Sequence, residues 1–316
     1  MEIGSGPGID EEPQQASANF EAGAGEIVSR TISVYIRRIG AYILMVGLPS
    51  VIIGILGLVF FVLIFGAAGY DYYPGVTGFD PISLLMSYLG FLGPTGIVIF
   101  YIVLIGIINT VFLAIINGAG VKYALDNYGN REGGEIGESF SRALGRALTL
   151  ILTQLVISLI ILAITSPVIF WAFGAVIAFN PLDPYASLAA IAALLPILLV
   201  CFILVFFIAV RLTVTTGVVI AEDLSAIDSI KRAWDLTGGN FWHVLGASLL
   251  LGIVTLLIGG ALSFGVIALY LSDTTIAMTI GTYLSLLLVG PITNVFQAVL
   301  YKDLRSRIGV AEQEWW

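Results

Sequence analysis

Six stretches of this chain are too long and too apolar for a water-soluble fold: about 39–66, 95–116, 147–171, 188–210, 244–269 and 276–300. A helix needs roughly 20 apolar residues to cross a bilayer, and each stretch reaches that length. Of 316 residues 59% are hydrophobic and 11% charged, more apolar surface than a soluble core of that size can enclose. The expected fold class is all-α, a polytopic membrane helix bundle of six transmembrane helices. An eleven-residue apolar piece at 82–92 falls short of a crossing and is expected to be interfacial or re-entrant.

The basic residues set the orientation. They form four groups: Arg30, Arg37 and Arg38; Lys122, Arg131, Arg142 and Arg146; Arg211, Lys231 and Arg232; Lys302, Arg305 and Arg307. With six spans all 13 fall on one side of the bilayer, and the loops of the other side have none. Positive charge stays on the cytoplasmic side, so both termini are expected there, in a multi-pass protein of the cell membrane. Counting 82–92 as a seventh span would scatter this pattern.

A short charged helix precedes a long apolar run more than once. In Ala221 to Trp242, Ser225 is placed to cap a helix with Asp228 reaching back to it. Ile227, Ile230 and Trp234 then share one face while Asp228, Lys231, Arg232 and Asp235 share another. Asp228-Ser229-x-x-Arg232-Ala233 has a counterpart in Glu138-Ser139-x-x-Arg142-Ala143, where Ile136, Phe140 and Leu144 line a face, and a looser one at 29–38 with Val28, Ile32, Tyr35 and Ile39. The reading is three units, about 26–122, 131–221 and 225–307. Each is a cytoplasmic amphipathic interfacial helix followed by two spans, so the units are parallel rather than inverted. Residues 1–25 have no basic residue and no apolar run, so they are expected to be a disordered acidic tail and not a secretory signal. Residues 308–316 are expected to be a second tail. Residues 212–221, β-branched and threonine-rich, suit either an extension of span four or a surface segment.

Several functions are excluded or disfavoured by composition. One cysteine, Cys201, permits no disulfide framework, and one histidine, His243, permits no centre needing two imidazoles from one chain. No metal and no cofactor are expected. A net charge of -8 and no large basic patch argue against nucleic acid as a partner. Acidic tails with arginine in excess of lysine suggest an archaeal or other halophilic source, where carboxylates keep surfaces hydrated in strong salt.

Ala221-Glu222-Asp223, the stretch SIKRAWDLTGGNFWHVLG and the terminal Leu300-Tyr301-Lys302-Asp303-Leu304-Arg305-Ser306-Arg307 resemble the membrane domain attached to glycerophosphoryl diester phosphodiesterases and its stand-alone bacterial and archaeal relatives. The resemblance covers about 26–307 and implies a six-helix membrane module. The soluble barrel that carries the phosphodiesterase chemistry in the fused enzymes has no counterpart in this sequence, and one histidine could not rebuild its metal site. The chain is therefore expected not to be an enzyme.

The candidate site residues are polar groups in apolar surroundings. Arg211, beside a continuing apolar run, is read either as a ligand for a lipid phosphate, assisted by Lys231 and Arg232, or as a side chain snorkelling to the interface. Arg142 and Arg37 would extend such a platform for anionic lipid. Asn117, Gln154, Asn294 and Gln297 fall in the inner halves of their spans and either line a polar cavity or hydrogen-bond between helices. Glu222 and Asp223 suit a helix start, and His243 with Ser248 lacks the spacing of a nucleophile and its base. The leading expectation is a scaffold or lipid-associated accessory module, with membrane lipids and a membrane or cytoplasmic protein as partners. The alternative is a transporter or channel for a small or amphipathic solute through the polar cavity.

Overall fold

A computed structural model describes residues 21–70, 93–129, 133–177, 184–269 and 274–313. The piece at 82–92, Arg131, most of the expected N-terminal tail and the last three residues lie outside them. No strand occurs among the described residues, and six helices are long and apolar enough to cross a membrane. The protein is an all-α, multi-pass membrane protein.

Helix α1 (Ala24–Arg37) leads into α2 (Ile39–Tyr42), a π turn (Ile43–Gly47) and α3 (Leu48–Tyr70), and α4 (Gly93–Gly129) returns the chain. The order short, long, long recurs as α5 (Ile136–Gly145), α6 (Ala147–Ile177) and α7 (Pro184–Arg211), the last continued after a turn by α8 (Thr215–Ala221). It recurs again as α9 (Ala226–Gly238), α10 (Phe241–Leu269) and α11 (Thr274–Leu288), the last continued by α12 (Gly290–Gln313).

The core lies where the three returning spans meet, at the end of the bundle that carries the basic residues. Val121, Tyr123 and Ala124 of α4 are buried there with Val218, Val219 and Ile220 of α8 and Val299, Leu300 and Leu304 of α12. This packing carries α4 past 116, where the sequence suggested an end. Its polar residues are half-buried, and Lys122 pairs with Asp126 one turn on, at 2.6 Å. The same core draws α12 through 300–313, so that part of the expected tail is helical. Residue 22 also differs from the expected tail, because Ala22 is buried against Asp303.

Three spans are interrupted, each for a local reason. Pro49 has no N–H to donate and its ring crowds the preceding turn, and the π turn opens just ahead of it. Pro291 similarly stands just after the break between α11 and α12, and the Leu288 carbonyl accepts the Tyr35 hydroxyl. Burial pushes that phenol up to about 12, so it stays a donor at any physiological pH. Between α7 and α8 no proline intervenes. There the Thr213 and Thr215 hydroxyls bond back to the carbonyls of Ala209 and Leu212, and the Arg211 carbonyl accepts Thr237 from α9. Residues 212–221 are thus neither a plain extension of span four nor a surface segment, but a turn and a buried short helix.

The short helices dock through small residues. Ser139 and Ala143 of α5, and Ser229 and Ala233 of α9, are fully buried four positions apart, with Thr31 and Tyr35 in the corresponding places of α1. The Ser225 hydroxyl accepts the Asp228 N–H at 3.3 Å, the cap its spacing suggested. Bulky residues of the same helices point away from the bundle: Ile36, Leu144 and Ile227 are each about 60% exposed.

Candidate functional site

A pocket of about 200 Å³ opens at the break in span four. Its walls come from five helices and one turn that the core already holds together. Ala114 and Asn117 belong to α4, Leu150, Thr153, Gln154, Ile157 and Ile161 to α6, and Gln297 to α12. Ala209, Leu212, Thr213, Thr215, Thr216 and Val219 come from the end of α7, the turn and α8. A lining half hydroxyl and amide, without a charged group, is unusual within helices otherwise apolar enough to span a membrane.

Hydrogen-bonding capacity remains unused in this lining. The Thr153 hydroxyl and Gln297 Oε1 are enclosed and have no partner in the protein, although buried polar atoms are otherwise nearly always paired. Each such atom costs about 1–3 kcal/mol when left unsatisfied. Gln154, an amide on an apolar helix, is exposed at the pocket. The site therefore favours a ligand group that both donates and accepts hydrogen bonds and bears no net charge.

Three of the four amides expected from the sequence, Asn117, Gln154 and Gln297, meet here. Asn294 stands beside the pocket: it is buried and donates from Nδ2 to Asn117 Oδ1 at 3.2 Å, tying α12 to α4. The threonines complete the lining, and Thr213, Thr215 and Thr216 fall in the β-branched stretch whose form the sequence left open.

The basic residues divide differently from the expected lipid platform. Arg142 donates to the Ile220 carbonyl and to Asp223 Oδ1 at 2.8 Å, and Arg146 reaches the same carboxylate at 3.5 Å. Arg232 is held by Glu222 at 3.0 Å. Arg211 lies over the Trp234 ring, 4.4 Å from its centroid, and donates to the Trp234 carbonyl at 3.2 Å. Arg37 and Lys231 are exposed. Glu222 and Asp223 are thus internal anchors for arginines. Asp223 presents its carboxylate from a left-handed backbone, φ 54°, which Asp tolerates better than most residues.

Arg142, above all through its hydrogen bond, holds the Asp223 carboxyl below the ordinary carboxylate range. A depressed value means that the clip is complete above pH about 3.9, the free value, and is lost as pH falls through the folded value. The drop in unfolding temperature between pH 6 and pH 3 should therefore be smaller in D223N than in the parent, and an identical drop would show that the clip is not a carboxylate contact.

Residues 137–304, more than half of the chain, match a family model described as Domain of unknown function (DUF7847). The chain belongs to that family. No curated protein and no solved structure matches it. All of the pocket's lining except Ala114 and Asn117 falls within the stretch shared with the DUF7847 family, as do Arg142, Arg211 and Arg232.

One further cluster at the basic end joins residues far apart in the sequence. The Asp303 carboxylate, fully buried, accepts the Ala22 N–H at 2.8 Å and both Nε and Nη2 of Arg307 at 3.0 and 3.1 Å. It also lies 3.0 Å from His243 Nε2. His243 is therefore a tie between α10 and α12, and the Ser248 hydroxyl is enclosed without a partner. Of these contacts only the spacing of Asp303 and Arg307 was a readable signal. Among the described residues no group of three or more His, Cys, Asp or Glu is placed to hold a metal.

Proposed function

We propose that this protein is a non-enzymatic, lipid-associated module of the cell membrane, with both termini in the cytoplasm, that binds the uncharged polar part of an amphipathic molecule. The observation that carries this reading is the pocket: three amides and four threonines around 200 Å³ beside a broken span, with two enclosed oxygens left unpartnered. Hydroxyl groups such as those of a glycerol or sugar headgroup match that lining, because each donates and accepts, and the apolar walls Leu150, Ile157 and Ile161 suit the adjoining chain. The grouping of the basic residues supports the orientation, which puts the pocket toward the inner leaflet. The bulky residues exposed on the short helices support their lying in the interface, with Arg37 and Lys231 free for headgroups. The likeness to the membrane domain of glycerophosphoryl diester phosphodiesterases supports a lipid setting too.

Native mass spectrometry of the protein released from its own membrane tests the reading. A bound amphiphile with hydroxyl groups should appear on the parent protein. Its occupancy should fall at least tenfold in a T153V/Q297L variant, a loss of about 1.4 kcal/mol or more of binding, while thermal unfolding shifts little. Equal occupancy in the two proteins overturns it.

Passage across the membrane is a second reading that one observation favours. Spans one, four and six are all interrupted in the half of the bundle that holds the pocket, and discontinuous spans at a polar site are how many transporters hold their substrates.

A further inference from the structure

A second site, separate from the pocket and independent of its occupancy, lies on the other side of the span-four break. We propose that Arg211 and the aromatic side chains around it bind the phosphate of an anionic phospholipid. The guanidinium is stacked on Trp234 and lies 5.7 Å from the centroid of Phe207. Phe207 packs in turn on Phe241, 5.2 Å away, and Phe241 on Trp242, which is 80% exposed. Gly238 makes room for the arrangement, since a Cβ there would come within 3.0 Å of Nη1.

Among the described residues the charge on Arg211 has no acidic counterpart. Arg142, Arg146, Arg232 and Arg307 each have a carboxylate oxygen within 4 Å. Among the described residues half-buried Arg211 has none, although Asp235 is the residue next to Trp234. Nη1 is committed to the Trp234 carbonyl, Nε is enclosed without a partner, and Nη2 is neither partnered nor enclosed. A guanidinium stacked on an indole is poorly hydrated, which raises its preference for an anion that accepts two parallel N–H bonds.

The depth of the site selects the anion. Arg211 ends the apolar helix α7, and the neighbouring Trp242 projects outward as an indole does at the headgroup level. Lipid phosphodiesters are the concentrated anions at that level. Exposed Lys231, one turn from Trp234 on α9, adds a second cation and favours a lipid with net negative charge over a zwitterionic one.

Trp234 reports occupancy directly. With Trp171, Trp242, Trp315 and Trp316 changed to Phe, the protein is reconstituted in vesicles containing either brominated phosphatidylglycerol or brominated phosphatidylcholine at equal mole fraction. Bromine on the anionic lipid should quench Trp234 at least twofold more strongly, and R211Q should remove the difference while R232Q keeps it. Equal quenching by the two lipids with Arg211 in place overturns the proposal, and this comparison stands even where R211Q does not fold. Selectivity that survives in R211Q overturns it also. Relief of the selective quenching by millimolar inorganic phosphate overturns the lipid as occupant and assigns the site to a free anion.

Discussion

Asp303→Ala is expected to lower the stability of the basic end of the bundle by about 3 kcal/mol or more, the range found when one partner of a buried ionic cluster is removed. The carboxylate is fully buried and answers Arg307, His243 and the Ala22 N–H at once. Alanine leaves Arg307 Nε and the Ala22 N–H without an acceptor where little water reaches, while Nη2 keeps the Ala22 carbonyl at 2.7 Å. Arg307 is 27% exposed and recovers part of its hydration, which sets the lower end of the range. An exposed pair such as Arg30 with Glu26 contributes about 0–1 kcal/mol by comparison. In thermal unfolding the loss corresponds to roughly 4–5 °C or more for a chain of this size. D303N, which keeps the shape and one acceptor, should fall between. The Ala22 segment should loosen in the same variant, so limited proteolysis near Glu21 should accelerate. An unfolding temperature unchanged in D303A would mean that the cluster is not a structural tie.

The parts of this fold legible in the sequence are those whose signal is local. Apolar length marked the six spans, and the spacing of Ser225 and Asp228 marked the start of α9. An amide inside an apolar run is itself a signal because its burial is costly, and Asn117, Gln154 and Gln297 do meet at the pocket. The threonines were ambiguous for a definite reason: a hydroxyl that can return its hydrogen bond to a carbonyl one turn back is compatible with an unbroken helix and with a break. In 212–221 the outcome was decided by Thr237, which takes the Arg211 carbonyl from another helix.

Long-range contacts were not legible. Ala22 and Asp303 are 281 positions apart, His243 and Asp303 60, and no periodicity joins them. The same limit applies to the arginines. Arg142 and Arg232 stood on polar helix faces that suit headgroups equally well, and only the fold brings Asp223 and Glu222 to them. On α5 and α9 the hydrophobic pattern marked a bulky face suited to the membrane interface and gave no sign of the docking faces, which are those of Ser139, Ala143, Ser229 and Ala233, with Ile136 and Phe140 partly packed on the core. Small residues let helices approach closely, and packing between membrane helices depends more on that approach than on apolar area.

Gly47→Ala should destabilise where Gly57→Ala, in the same span, should not. A Cβ at Gly47 would sit 2.3 Å from the Leu287 carbonyl oxygen and 3.1 Å from its carbon, both backbone atoms that cannot swing aside. At Gly57 it would meet nothing within 4 Å. Overpacking of the first kind costs about 1–3 kcal/mol, whereas alanine for glycine in an open helix gains roughly 0.5–1 kcal/mol. The two variants should thus differ by about 2–4 kcal/mol in unfolding free energy, with equal added volume and the same residue type. The contact also has a mechanical role. Gly47 closes the π turn of span one against Leu287 just before the break in span six, and Gln297 lies two turns into the helix that follows. G47A should accordingly reduce occupancy of the pocket along with stability, and G57A should leave occupancy at the parent level. If both variants unfold at one temperature, spans one and six do not meet at Gly47.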